Sequence, residues 1–309
     1  MARGKYVTNT NTDDRRLPRA LEMEARALEM FPDVGLVYAD VWATVTENDT
    51  LNPGDTGRFK RCSYPDFTLL NGLAGSNFSP QPMWRRAAHD KVGFYDESYT
   101  VAGDYEFFYR LASSLGALHI RTPLGLYLEN QGGIQISQPQ LTLEEFSRLR
   151  KKFYSEVALE EFFPSLSANH NDARSRGSAL FELGNNCLLA SVRPEYELAA
   201  VYYTQARSLL GGIPQLLHNL AITRIGMGDL SAGITSLKAT AHDLPASAAL
   251  VQALGRSGGT LSSLPPGVLQ IFSSGHPAVK AAREGRGISL EDLEAGARAP
   301  AGRARKRDK

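Results

Sequence analysis

The chain has 309 residues, 42% of them hydrophobic and 22% charged, with a formal net charge of +1. That is globular composition with apolar material for one large core or two modest ones, and so neutral a balance excludes recruitment of nucleic acid by overall charge. Cys62 and Cys187 are the only cysteines and stand outside any CxxC or Cys/His spacing, so no zinc site is expected and a reducing compartment is. The N-terminus lacks the apolar core of a signal peptide, and no run of 18 apolar residues occurs anywhere. The expectation is a cytoplasmic chain without a transmembrane segment.

In chain order, Leu17 to Met30 predicts an amphipathic helix, with Pro18 at its start and Leu21, Ala25 and Leu28 on one face. Val34 to Val41 is a short apolar, β-branched run that reads as a buried strand. Asp104 to Leu115 is a second helix, and His119-Ile120 and Leu124 to Leu128 are short strands. Loop, helix and strand in this succession belong to an α/β layer. Leu141 to Phe163 predicts one long connector helix, stopped by Pro164.

Beyond it the chain is helical and repetitive. Ala199, Tyr203 and Ala206 recur thirty-three positions on as Ala232, Ser236 and Ala239, each set preceded by a partner helix near 180–184 and 216–221. This is similar to the tetratricopeptide repeat, in which small alanines let paired helices approach. The alternative is an unrelated pair of helical hairpins. From about 255 the chain is rich in Gly, Pro, Ala and Arg and is expected to be weakly ordered. Its basic end, 303–309, reads as a solvated tail, with a nucleic-acid or anionic-membrane contact as the lesser alternative.

Three motifs can carry chemistry. Asn11, Asp13, Asp14 and Arg15 follow a short apolar stretch and lead towards the first helix. Adjacent carboxylates can hold a hard divalent cation bridging a diphosphate, or can merely cap a helix. Asn77 to Arg86, stiffened by Pro80 and Pro82, delivers Trp84 and Arg85. A sugar can stack on the indole and a phosphate can pair with the guanidinium, unless Trp84 is an ordinary core residue. Gly103, Asp104, Tyr105 and Glu106 open the second predicted helix. Gly103 permits a tight turn, and Asp104 can serve as a general base or as an N-cap.

Taken in this order, the motifs resemble the family 2 glycosyltransferases from about residue 6 to 136, together with Val92-Gly-Phe-Tyr-Asp-Glu97. The resemblance implies an inverting GT-A enzyme with a Rossmann-like sheet, a nucleotide-sugar donor and a hydroxyl acceptor on a glycan, lipid or protein. Asp104 would be the catalytic base and Asp13, assisted by Asp14, would hold Mn2+ or Mg2+. Asn11, Arg15, Asn77, Trp84, Arg85, Gly103, Tyr105 and Glu106 would line the substrate site. The family's acidic motif begins with Asp where this chain has Asn11, and the family's histidine after the catalytic helix has no counterpart in 129–134. The family's front half, which holds base and ribose, does not precede Asp13. The expected organisation is therefore the C-terminal half of a GT-A domain over 1–136, a connector over 137–174, tetratricopeptide-like repeats over 175–252 and a flexible tail over 253–309. The competing expectation is a non-catalytic interaction module whose repeats bind a protein partner.

Overall fold

The computed structural model describes residues 2–9, 11–51, 58–75, 78–130, 132–168, 172–190, 193–243, 247 and 250–251. The chain forms two compact units, Met1–Phe153 and Tyr154–Lys309.

The first unit is built on a mixed sheet. Its strands are β1 (Tyr6–Thr8), β2 (Arg15–Arg16), β3 (Leu36–Thr44), β4 (Lys60–Cys62), β5 (Met83–Arg85) and β6 (Ala117–Leu128). They lie in the order β1-β5-β3-β6-β2, with β4 also on β3; the β3–β6 pair is parallel and the others are antiparallel. β3 is central and Leu36 to Val41 are all buried, because neighbours cover both its faces. Val37 and Ala39 face helix α1 (Ala20–Met30), where Leu28 and Ala20 are buried against them. Tyr38 points the other way into a ring cluster with Phe78 and His119. Fully burying Leu28 contributes about 2 kcal/mol.

Pairing moves several of the expected boundaries. β3 runs on to Thr44 because it is held along that stretch by both β4 and β6. The two short strands expected around His119 and Leu126 are one strand, with a register slip where Asp40 meets Pro123, a residue with no amide to give the ladder. The first helix starts at Ala20 rather than Leu17. Arg15 and Arg16 pair with β6, the Leu17 amide donates to the Leu124 carbonyl at 2.9 Å, and Arg19 turns through a left-handed φ of 68°.

Helices α2 (Leu69–Ala74), α3 (Ala88–Val92) and α4 (Gly103–Leu115) follow, α4 being buried on most sides, and α5 (Ile134–Ser137) comes after β6. The expected connector is not one helix. It divides into α6 (Pro139–Glu156) and α7 (Leu159–Phe162), and the boundary between the units falls inside α6, so most of α6 belongs to the first unit.

After α8 (Ser165–Ala168), the second unit consists of α9 (Ala173–Leu188), α10 (Tyr196–Leu210), α11 (Pro214–Gly226) and α12 (Leu230–Thr240), each packed on the next. Ala199, Tyr203 and Ala206 are fully buried on α10. Their counterparts on α12 are Gly233, Leu237 and Thr240, whereas Ala232 and Ser236 are half-buried and Ala239 is exposed. The alanine register is therefore off by one and the spacing is thirty-four. The same spacing joins Asn219 to Asn185 at 2.7 Å, and the Tyr203 hydroxyl donates to the same Asn185 oxygen at 2.9 Å. The tail after 251, including Pro245 just before it, lies outside the described residues. Asn219→Ala is expected to lower stability by about 1–3 kcal/mol by stranding buried polar groups. Urea unfolding of the full chain should also show a non-additive Asn185→Ala/Asn219→Ala pair.

Candidate functional site

The first turn of α4 has an unusual cap. Its N-cap, Ala102, has no side-chain acceptor. The role is filled from α6: the Glu145 carboxylate accepts the amides of Thr100, Val101 and Ala102 at 2.8, 2.7 and 2.9 Å. Burial pushes Glu145 up, but the three amides outweigh it and hold the carboxyl below the usual glutamate range. Because Glu145 caps the helix, Asp104 is not needed there. It is exposed in a stretch where Tyr105 to Tyr109 are all buried. Its Oδ1 accepts the Tyr105 amide at 2.7 Å. Asp104 is open to solvent yet ringed by protein atoms, as at the floor of a concavity, and that crowding pushes its carboxyl above the usual aspartate range against the backbone amides. A carboxylate shifted in this direction suits a proton acceptor working near neutrality.

The acidic loop is divided in its duties. Asp14 is 3% exposed; one oxygen accepts the Leu128 amide at 3.1 Å and the other accepts from Asn11 Nδ2 at 2.9 Å. Burial raises its pKa against those bonds. Asp14 therefore ties the loop to β6. Asp13 is half-buried, with one distant bond from Asn130 Nδ2 at 3.4 Å. Asn11 is exposed, and since its nitrogen serves Asp14, its amide oxygen remains as a hard ligand beside Asp13. Among the described residues no three His, Cys, Asp or Glu side chains are grouped to hold a metal ion. Asp13 with Asn11 fits a magnesium- or manganese-type ion that takes its other oxygens from water and a diphosphate.

Segment 78–85 joins these places. Phe78 packs on Tyr105 and Phe108 of α4. Further on, Asn9 Nδ2 donates to the Pro80 carbonyl at 3.2 Å, Thr8 Oγ1 to Pro82 at 2.7 Å and Arg16 to Gln81 at 3.0 Å. The Gln81 amide donates to the Arg15 carbonyl at 3.3 Å. Gly125 is required on β6 because an added Cβ would stand 2.5 Å from Gln81 Oε1. The acidic loop and the start of α4 are thus braced by one extended segment.

Several sequence candidates have other employment. Trp84 is 3% exposed, donates to His89 at 3.1 Å and packs edge-on against Phe107, so the core role holds and the indole offers no face to a sugar. Arg85 donates to the carbonyls of Val34, Leu28 and Phe31, closing the end of α1. Arg15 is held by the Asp14 carbonyl and Asn48. Tyr105 is buried with its hydroxyl on the Gly72 and Gly75 carbonyls. Glu106 is fully buried and pairs with Arg110 at 2.8 Å and Lys152 at 3.0 Å. An added Cβ on Gly103 would make only ordinary contacts, the nearest at 3.5 Å, so its turn does not demand glycine. Asn77 lies outside the described residues.

Sequence reasoning missed Glu145, Gln81 and Tyr95. Glu145 sits in a helix distant in sequence and carries no motif; Tyr95 was passed over within Gly93-Phe-Tyr-Asp-Glu. Neither a protein-family model nor the sequence of any curated protein matches the chain. No described helix is long and apolar enough to cross a membrane.

Two outcomes follow from the cap. Glu145→Ala strands three amides and should cost about 2–4 kcal/mol in chemical denaturation. Because the folded pKa of Glu145 is lowered, its contribution is present above the unfolded value of about 4.3 and is lost as pH falls through the folded one. Wild type should therefore lose stability in that acid range, and Glu145→Gln should show a flatter profile. Gly103→Ala should be neutral or stabilising by up to about 1 kcal/mol, read as a shift in Tm.

Proposed function

We propose that this chain carries the acceptor side of an inverting, GT-A-type glycosyltransferase that moves a sugar from a nucleotide-sugar donor to a hydroxyl. The observation that supports this most is Asp104: a solvent-open carboxylate with a raised pKa, relieved of helix capping by Glu145. In this reading Asp104 takes the proton of the acceptor hydroxyl as its oxygen bonds to the anomeric carbon. The bond from that carbon to the nucleotide diphosphate breaks on the opposite face, and the configuration inverts. Asp13 and the amide oxygen of Asn11 would hold a divalent cation, which when bound supplies positive charge to the leaving diphosphate. Asp14 positions that loop, and segment 78–85 sets it against α4.

The second reading is an interaction module. It is favoured by the thirty-four-residue spacing of the helix pairs, which matches the tetratricopeptide period and is marked by the Asn185–Asn219 bond. The two readings are compatible, with the second unit docking a protein partner.

Calorimetry with UDP- and GDP-sugars in the presence of Mn2+ or Mg2+ tests the donor site. Metal-dependent binding should be present in wild type and absent in Asp13→Ala. Asp104→Asn should keep that binding and lose about 100-fold or more in transfer rate. Since the base must be deprotonated and its pKa is raised, the acid limb of kcat/KM should lie above the ordinary aspartate value of about 3.9. A folded chain that binds no nucleotide sugar would remove stand-alone catalysis and leave the module reading.

A further inference from the structure

Four rings are stacked beside Asp104. Phe94 lies 4.8 Å from His89 at 19°, His89 lies 5.2 Å from Phe107 at 16°, and Phe107 lies 4.5 Å from Tyr95 at 18°. Tyr95 is 39% exposed at one end of the stack. Phe107 covers one of its faces and Phe108 meets it edge-on at 6.4 Å. Phe107 and Phe108 are three and four residues after Asp104 on the same helix, the spacing that shares a face. Tyr95 therefore stands one helical turn from the carboxylate. Asp104 also adds to burial in raising the Tyr95 hydroxyl pKa, which places the two groups within electrostatic reach.

The loop that presents Tyr95 is anchored. Arg110 donates to the carbonyls of Val92 and Phe94, and is itself held by buried Glu106, which Lys152 also contacts. Glu106 is thus a positioning residue for the ring, acting through Arg110.

We propose that Tyr95 is the platform on which a sugar ring of the acceptor stacks, so that the acceptor is a carbohydrate; this rests on the transferase reading of Asp104. A pyranose matches both features: its C–H face gains dispersion contact on the ring, and its rim hydroxyls can donate to the carboxylate. An acyl chain offers the carboxylate no donor, and a phosphorylated ligand would be repelled by it.

The test is saturation-transfer NMR on the full chain with methyl β-glucopyranoside, methyl β-galactopyranoside and cellobiose, alongside sugar transfer to the same compounds. At least one should bind, with saturation strongest on ring C–H protons. Tyr95→Ala should weaken binding by about 10-fold, and Tyr95→Phe should stay within about 2-fold because the ring remains. Phe94→Ala, at the far end of the stack, serves as the control and should bind as wild type does. Circular dichroism checks the folding of each variant, and Tyr95→Phe keeps the comparison open if Tyr95→Ala does not fold. Binding lost in Tyr95→Ala with no transfer from any nucleotide sugar would support the platform while removing the transferase reading. No binding of any sugar by folded wild type, or undiminished binding by Tyr95→Ala, would overturn the platform.

Discussion

The Glu145 carboxylate on three successive backbone amides is the constraint on which the first unit's chemistry depends. The opening turn of a helix exposes amides that need an acceptor. A local aspartate is the usual answer, and here Asp104 stands in position to give it. By supplying the acceptor from α6, the fold leaves Asp104 facing solvent in crowded surroundings. The same device binds α6 to the sheet unit, since Glu145, the buried Arg150 on the Leu73 carbonyl and Lys152 on Glu106 all reach from α6 into it. The long helix is thereby part of the scaffold rather than a spacer.

The other charged residues near α4 divide the labour in the same manner. Glu106 is one position from the tip of the helix yet fully buried, and its charge is met by Arg110 and Lys152. A buried carboxylate is tolerated only when so paired, and this pairing fixes the guanidinium that holds the loop from Val92 to Phe94. Two acidic residues separated by one position have opposite uses because successive side chains on a helix point about 100° apart. Asp13 and Asp14 repeat the contrast in a loop. The second is consumed by the Leu128 amide and Asn11, and the first is left towards solvent.

Much of the fold was legible in the sequence. The apolar run at β3 and the aromatic periodicity of α4 are local signals, and the structure contains both elements. The helical character of the region from Ala173 to Thr240 was equally plain, although its register was not. The small alanines suggested a spacing of thirty-three, while burial selects Gly233, Leu237 and Thr240 and a spacing of thirty-four. One residue of error rotates a helix face by about 100°, and only the partner helix determines which side is covered. The split of the predicted connector into α6 and α7 was likewise invisible to a periodicity that continues through both.

What the sequence by itself determined is the order of elements and the stock of reactive side chains: the acidic loop, the stiff segment with its prolines, and the aspartate opening α4. These are properties of residue type and spacing, which local physics reads directly. Only the tertiary structure decided which of those side chains face solvent. Trp84 looked like a sugar platform and is enclosed by Phe107, Phe108 and His89, while the unremarked Tyr95 keeps an open face. Exposure depends on what lies across the space from a residue, and those neighbours come from positions far along the chain.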